Sequence, residues 1–264
     1  MRSPGPIDAL ADGRFRLGPR LGSGSYGEVF RAYDRVDRRE VALKLLHQRD
    51  AASLARFKRE FRAVAPLRHP HLVPLHSLHR DGDRWFFTMD LVDGFDLIPY
   101  VRPGGVVDGQ RLRRVFREIA LGLGALHASG HVHRDVKPSN VRLQVDGAVR
   151  VLDFGFATEL EGALSEELVG TPIYMAPELL AEAGRPTPAS DFYALGVMLH
   201  ECLAGAPPFD GRLVEMLVRK QEEDAPPLPG PDLGLGPLVA GLLARSPEAR
   251  PTLDAILGDR KSVV

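Results

Sequence analysis

The run His133, Arg134, Asp135, Val136, Lys137, Pro138, Ser139, Asn140 is followed, thirteen residues past its asparagine, by Asp153, Phe154 and Gly155. Asp135 is a candidate base, Lys137 a cation able to face a phosphate, and Asn140 and Asp153 are hard oxygen donors suited to magnesium. Gathered in so short a stretch, these groups are the equipment of phosphoryl transfer, in which positioning and charge neutralisation carry most of the catalysis. Two upstream groups suit the same chemistry. Gly22, Ser23, Gly24, Ser25, Tyr26 and Gly27 have GxGxxG spacing, where absent side chains let backbone N–H groups approach phosphate oxygens. Lys44 closes the apolar run Val41, Ala42, Leu43; an ammonium on the buried side of a strand needs an anionic partner, and Glu60 can supply it.

The glycine stretch alone is weak. A dinucleotide-binding Rossmann unit uses the same glycines, but it needs a helix directly afterwards and an acidic residue about 20 positions on. Here Glu28 to Tyr33 continue as a strand, which favours a hairpin lid. An ordinary glycine-rich turn is the plainer alternative.

The elements that must position these groups fall into two parts. Phe15–Leu21, Glu28–Asp34 and Glu40–Leu46 read as strands, and Leu54, Phe57, Phe61 and Val64 recur at helical spacing until Pro66. Two more strands are expected near Leu72–Leu78 and Arg84–Leu91, around a turn at Asp81, Gly82 and Asp83. The remainder reads as mostly helical. Leu112, Phe116, Ile119, Leu123 and Leu126 form one stripe behind a cap at Asp108, and Tyr193–Leu203, Leu213–Gln221, Leu235–Leu243 and Leu253–Leu257 are further helices. The boundary between the parts is expected near Val92 to Phe95.

Composition narrows the class of partner. With 34 basic and 35 acidic residues in 264, nothing favours a nucleic acid or an anionic membrane surface. The single cysteine, Cys202, rules out an internal disulfide and suits a reducing compartment. No apolar run approaches the ~20 residues of a membrane span and Met1 to Asp12 lacks a signal-peptide core, so a cytoplasmic location is expected. Only five basic residues are lysines (Lys44, Lys58, Lys137, Lys220, Lys261), against 29 arginines. A lysine kept in such a chain is a candidate for needing a compact ammonium on a flexible stem rather than a planar fork.

The glycine stretch, Val41 to Lys44, Glu60, His133 to Asn140, Asp153 to Gly155, Ala176 to Glu178, Asp191 to Gly196 and Arg250 occur in an order that resembles a serine/threonine protein kinase domain of the eukaryotic-like (Hanks) type, from about Phe15 to about Leu257. The arginine- and alanine-rich composition is similar to that of bacterial members. The resemblance implies an α+β, bilobal fold: a small five-stranded β-lobe with one helix (about 15–91), a hinge (about 90–95) and a larger, mainly helical lobe (about 96–258), together one kinase domain over 1–264 with ATP between the lobes.

The resemblance also implies roles. Lys44, paired to Glu60, would hold the α- and β-phosphates beneath the glycine loop; Leu21, Gly22, Ser23, Gly24, Ser25, Gly27, Val29, Ala42 and the gatekeeper Met89 would surround the nucleotide, with Asp90 to Val92 bonding adenine through the backbone. Asp135 would orient or take the acceptor proton, Lys137 would neutralise the γ-phosphate, and Asn140 and Asp153 would ligate magnesium, or manganese in its place. The segment Gly170 to Glu178 implies a protein acceptor, with Thr171 bonding the catalytic loop, and Lys137 implies serine or threonine. Phe156, after the Asp-Phe-Gly triplet, goes with serine preference. Arg134 implies a phosphorylated activation segment, for which Ser165 is the best placed acceptor, although Glu161, Glu166 and Glu167 crowd the same stretch. Asp191 would hold the catalytic loop, Arg250 would pair with Glu178, and His133 would pack with Phe154, Leu75 and Val64. His127, His131 and His133 are read as caps and packing rather than a metal cluster, and Trp85 as a strand packing residue. The sequence leaves dimerisation open, and the end of the chain just past the last expected helix suits the catalytic part of a longer protein. The chief alternative is a pseudokinase, a nucleotide-binding signalling scaffold. Its expected mark is decay at Lys44, Asp135 or Asp153, and all three are intact.

Overall fold

The computed structural model describes residues 9–24, 27–47, 50–154, 171–180, 184–230 and 232–258. The chain divides into two compact units, one of residues 1–68 and 73–92, the other of residues 69–72 and 93–264.

In the first unit, six antiparallel strands run in the order β1-β2-β3-β4-β6-β5. They are β1 (Ala9–Leu10), β2 (Phe15–Gly24), β3 (Gly27–Asp34), β4 (Arg39–Leu46), β5 (Leu75–Asp81) and β6 (Arg84–Asp90). The five expected strands are present, and the two-residue β1 adds a sixth at the edge of β2. The pair predicted from Leu72 begins at Leu75 instead, because Pro74 has no N–H to give a ladder. Leu72 makes an isolated parallel bridge with Val151 in the second unit's own residues.

Side-chain alternation divides the sheet's work. On one face Leu10, Phe15, Ala32, Val41, Leu43 and Phe86 form a closed core. Positions 42 and 44 of β4 point the other way, paired with Met89 and Phe87 of β6. Helix α1 (Ala51–Val64) lies on that second face: Phe57 and Phe61 stack on Phe87 with ring centroids 6.0 and 5.4 Å apart. Asp50 caps the helix by accepting the Ser53 N–H at 2.9 Å.

The second unit is built on helices, with a three-stranded sheet β7 (Gly94–Asp96), β8 (Val141–Gln144), β9 (Val149–Val151) that the apolar pattern did not reveal. These strands are three or four residues long, too short for period-two alternation to register. A five-residue helix, α2 (Leu97–Val101), was hidden for the same reason. Helix α3 (Gly109–Ala128) carries the expected stripe inward, and Asp108 caps it by accepting the N–H groups of Gln110 and Arg111 at 3.1 and 3.0 Å. Helix α4 (Pro188–Ala204) is apolar on nearly every side and buried accordingly. It starts five residues before the expected Tyr193, because Thr187 and Ser190 form a reciprocal cap, and it ends at Gly205 in the left-handed conformation (φ +85°). Helices α5 (Leu213–Glu222), α6 (Gly236–Leu242) and α7 (Leu253–Gly258) complete the unit. Among the described residues, no helix is long and apolar enough to cross a membrane.

Candidate active site

Strand register assembles the first group of residues. Val29 pairs with Lys44, Ala42 with Met89 and Lys44 with Phe87, so Val29, Ala42, Lys44 and Met89 share the face that α1 covers. Lys44 is 7% exposed, an unusual position for an ammonium. Glu60 lies on α1 between Phe57 and Phe61, the aromatic residues that dock this helix on Phe87.

The glycine stretch is a β-hairpin, not the entry to a helix, which removes the dinucleotide-fold alternative. Gly22 pairs with Val29, Ser23 with Glu28 and Gly24 with Gly27. Gly27 is obligatory: a Cβ there would sit 2.0 Å from the Leu45 carbonyl oxygen. At Gly22 and Gly24 a Cβ would meet nothing within 4 Å, so a ligand can reach the backbone there unobstructed. Leu21 is half exposed between bulges in the ladder. Ser25 lies outside the described residues. The Asp90 side chain is engaged by His76 at 2.9 Å and Arg39 at 3.4 Å, and its N–H by the Pro74 carbonyl at 3.0 Å.

In the second unit the twelve residues between Asn140 and Asp153 are a hairpin. β8 starts immediately after Asn140, Val141 pairs with Val151, and the Leu152 N–H donates to the Asn140 carbonyl at 2.8 Å. Two oxygen donors distant in sequence thereby come to adjacent backbone positions. Asp153 has φ +56° and Arg134 φ +71°, a left-handed geometry that costs a side-chain-bearing residue of order 1–3 kcal/mol and persists where surrounding contacts impose it.

Those contacts centre on Asp191. Its carboxylate, 2% exposed, accepts the N–H of His133 at 2.7 Å, the N–H of Arg134 at 2.9 Å and Nε2–H of His127 at 2.8 Å. The His133 ring braces the loop from within: Nε2–H donates to the Leu152 carbonyl at 3.0 Å while Nδ1 accepts the Asp135 N–H at 3.2 Å. Phe154 packs edge-on against it, centroids 6.4 Å apart. His127 and His133 thus spend ring nitrogens on protein groups, and among the described residues no group of three His, Cys, Asp or Glu side chains could hold a metal ion.

Asp135 is held through one oxygen. Oδ2 accepts from Asn140 Nδ2 at 3.0 Å and lies 2.7 Å from Lys137 Nζ, while Oδ1 is buried with no hydrogen-bond partner among the described residues. Asn140 Nδ2 also donates to the Asp135 carbonyl at 2.8 Å, so the amide's oxygen is the atom left for a cation. Asp135 lines a cleft with Arg134, Tyr174, Met175, Ala176 and Leu179. This brings the candidate base to residues 174–176.

The protein kinase domain family matches residues 15–260. The chain belongs to the protein kinase family. It is 34% identical over 248 residues to serine/threonine-protein kinase PknE of Mycobacterium tuberculosis, covering 90% of this chain and 44% of that protein. It is 35% identical over 254 residues to serine/threonine-protein kinase PknL of the same organism (92% and 63%), and 35% over 266 residues to serine/threonine-protein kinase pkn2 of Myxococcus xanthus (93% and 32%). The chain spans less than two thirds of each of these relatives.

Within this kinase domain the acceptor segment is anchored at places the sequence did not disclose. Arg250 pairs with Glu178 through two bonds of 2.7 Å, as expected, and spends its remaining N–H groups on the carbonyls of Ala244, Ala189 and Arg245. Tyr174 donates its hydroxyl to Glu201 at 2.7 Å, and the buried Lys220 donates to carbonyls of the segment; neither role was foreseen. Lysine scarcity was the available signal for Lys220. Trp85 packs as expected, and Lys58 Nζ lies 3.7 Å from its ring centroid. Ser165, Phe156, Gly155 and the Thr171 side chain lie outside the described residues.

Proposed function

We propose that this kinase domain transfers the γ-phosphoryl group of ATP to serine or threonine hydroxyls of proteins. The observation that carries the reading is Asp135, which lines a cleft with Tyr174 and Met175: one carboxylate oxygen is tied to Lys137 and Asn140, and the other is buried with no hydrogen-bond partner among the described residues. A hydroxyl entering that cleft would donate to Oδ1, which orients its lone pair for in-line attack and takes the proton as the bond to phosphorus forms. Lys137, against the same carboxylate, would neutralise charge arriving on the γ-phosphate. Lys44, with Glu60 as its partner, would hold the α- and β-phosphates, with the glycine hairpin from Leu21 to Val29 covering them and Ala42, Met89 and the backbone of Asp90 to Val92 around the adenine.

The family uses a divalent metal ion, and the donors fit one. The anchored amide of Asn140 leaves an oxygen beside the backbone position of Asp153, and two protein oxygens are what magnesium takes when phosphates and water complete its octahedron. Bound there, the ion would offset phosphate charge. Manganese suits the same ligands.

Three further assignments belong to this proposal: serine is preferred, through Phe156; Ser165 is autophosphorylated and read by Arg134; and the domain acts in the cytoplasm, where the free thiol of buried Cys202 would persist. Intact-mass analysis after ATP incubation, with Ser165→Ala beside the parent, tests the second. The central test is incubation with γ-labelled ATP, magnesium and a basic protein acceptor, beside Asp135→Asn. Transfer at least about a hundredfold slower in the variant supports the enzyme. Equal labelling would leave the pseudokinase scaffold as the better account.

A further inference from the structure

Lys220 has no part in phosphoryl transfer as described, yet it is the most deeply buried lysine of the described residues, 1% exposed. It sits on α5, and among the described residues no carboxylate lies within ion-pair distance of its ammonium. All three donors go instead to one short stretch of backbone: the carbonyls of Pro172 at 2.9 Å, of Ile173, and of Met175 at 3.0 Å. The Tyr193 ring lies 5.6 Å from Nζ. Burial pulls the Lys220 ammonium down to about 7, so the three carbonyls replace only part of the water it has lost.

The same two elements also meet through apolar side chains. Met216 and Leu217, one turn before Lys220, cluster with Phe209, and Ile173 and Leu180 pack against them. Three carbonyls converging on one ammonium fix the path of residues 172–175, and Tyr174 and Met175 of that path line the cleft that holds Asp135. Arginine cannot do this equally well, since its planar fork spreads its donors while a lysine gathers three on one atom.

We infer that Lys220 is a positioning residue for acceptor binding: by collecting the carbonyls of Pro172, Ile173 and Met175 it sets the shape in which Tyr174 and Met175 receive the acceptor chain. The inference rests on the protein-acceptor reading above and gives that reading a residue outside the catalytic loop.

Steady-state kinetics of the parent, Lys220→Met and Lys220→Arg with a serine peptide, alongside thermal melts, provide the test. Lys220→Met is expected to raise KM for the peptide about tenfold or more, leaving KM for ATP within twofold, and Lys220→Arg to recover part of the loss. A peptide KM within twofold of the parent overturns the inference. So does a rise of both KM values in step with a collapse in Tm, which marks a merely structural residue. Should Lys220→Met fail to fold, amide hydrogen exchange on the parent decides: residues 173–176 are expected to exchange at least tenfold slower than free chain, and free-chain rates would refute the clamp. A parent that phosphorylates no peptide removes the proposed function itself, whereas an active parent with an indifferent Lys220→Met removes only the role of Lys220.

Discussion

The backbone N–H groups of residues 133–134 in the catalytic loop hang from a single carboxylate, that of Asp191, with the His133 ring bracing them from within, whereas residues 172–178 of the acceptor segment are held at three separate places, by Lys220, Tyr174 and Arg250. The chemistry of the two suspensions is opposite. The loop offers N–H groups to an anion, and the segment offers carbonyls and a carboxylate to two cations, with the Tyr174 hydroxyl alone donating outward to the Glu201 carboxylate. A one-point suspension concentrates strain, and the left-handed Arg134 sits directly on it. Such concentration suits a carboxylate that must be placed to a fraction of an ångström. A three-point suspension spreads load along an extended stretch, which suits a surface that has to keep its contour while chains come and go.

The comparison breaks most readily at Asp191. Asp191→Ala leaves two backbone N–H groups and the His127 donor without their acceptor, and each orphaned buried group costs about 1–3 kcal/mol. Released, the loop no longer places Asp135, so kcat is expected to fall about a hundredfold together with a lower Tm. Transfer assays and calorimetry on the same preparation check both. Normal turnover from a destabilised variant would mean that the bond from the His133 ring to Leu152 is enough to place the loop and that the contrast is false.

Arg250→Met probes the other side. It leaves Glu178, whose side chain is 19% exposed, without its cation, at a cost of up to roughly 3–5 kcal/mol, or up to roughly 10 °C in Tm for a chain of this size. Because Lys220 and Tyr174 still hold the segment, kcat measured well below the melt is expected to fall much less than in Asp191→Ala. Equal losses of kcat would show that the three anchors act as one.

The two suspensions also differ in how far they could be read in advance. Asp191, Glu178 and Arg250 were legible because they stand at positions that resemble the motifs of the family, in its order. Asp135, Lys137, Asn140 and Asp153 were legible as residue types, yet the hairpin that brings Asn140 beside Asp153 was not, its strands being too short to show a period. The bonds from Lys220 end on backbone carbonyls, which every residue possesses, so no pattern of side chains could announce them. Tyr174 reaches Glu201 across 27 positions, and nothing local marks either as a partner. On the sheet, alternation revealed the strands, but only register shows that Val29, Ala42, Lys44 and Met89 share a face.

The smallest effect is expected at Tyr174, where the phenol gives one hydrogen bond to Glu201. Tyr174→Phe removes that bond at a cost of about 1 kcal/mol near neutral pH, measurable as a modest drop in Tm. Alkaline pH separates this anchor from the other two. Burial, reinforced by the bond to Glu201, pushes the Tyr174 phenol above its ordinary value of 10.0. The unfolded chain then loses this proton at a pH where the folded chain keeps it, so the stability from Tyr174 is fully present below about 10 and drains away as pH rises further. The difference in Tm between the parent and Tyr174→Phe is therefore expected to be constant from pH 6 to about 9 and to close above about 10. A gap that persists to higher pH would mean that Glu201 does not receive the phenolic proton, leaving the segment with two anchors and weakening the case that its contour is held redundantly.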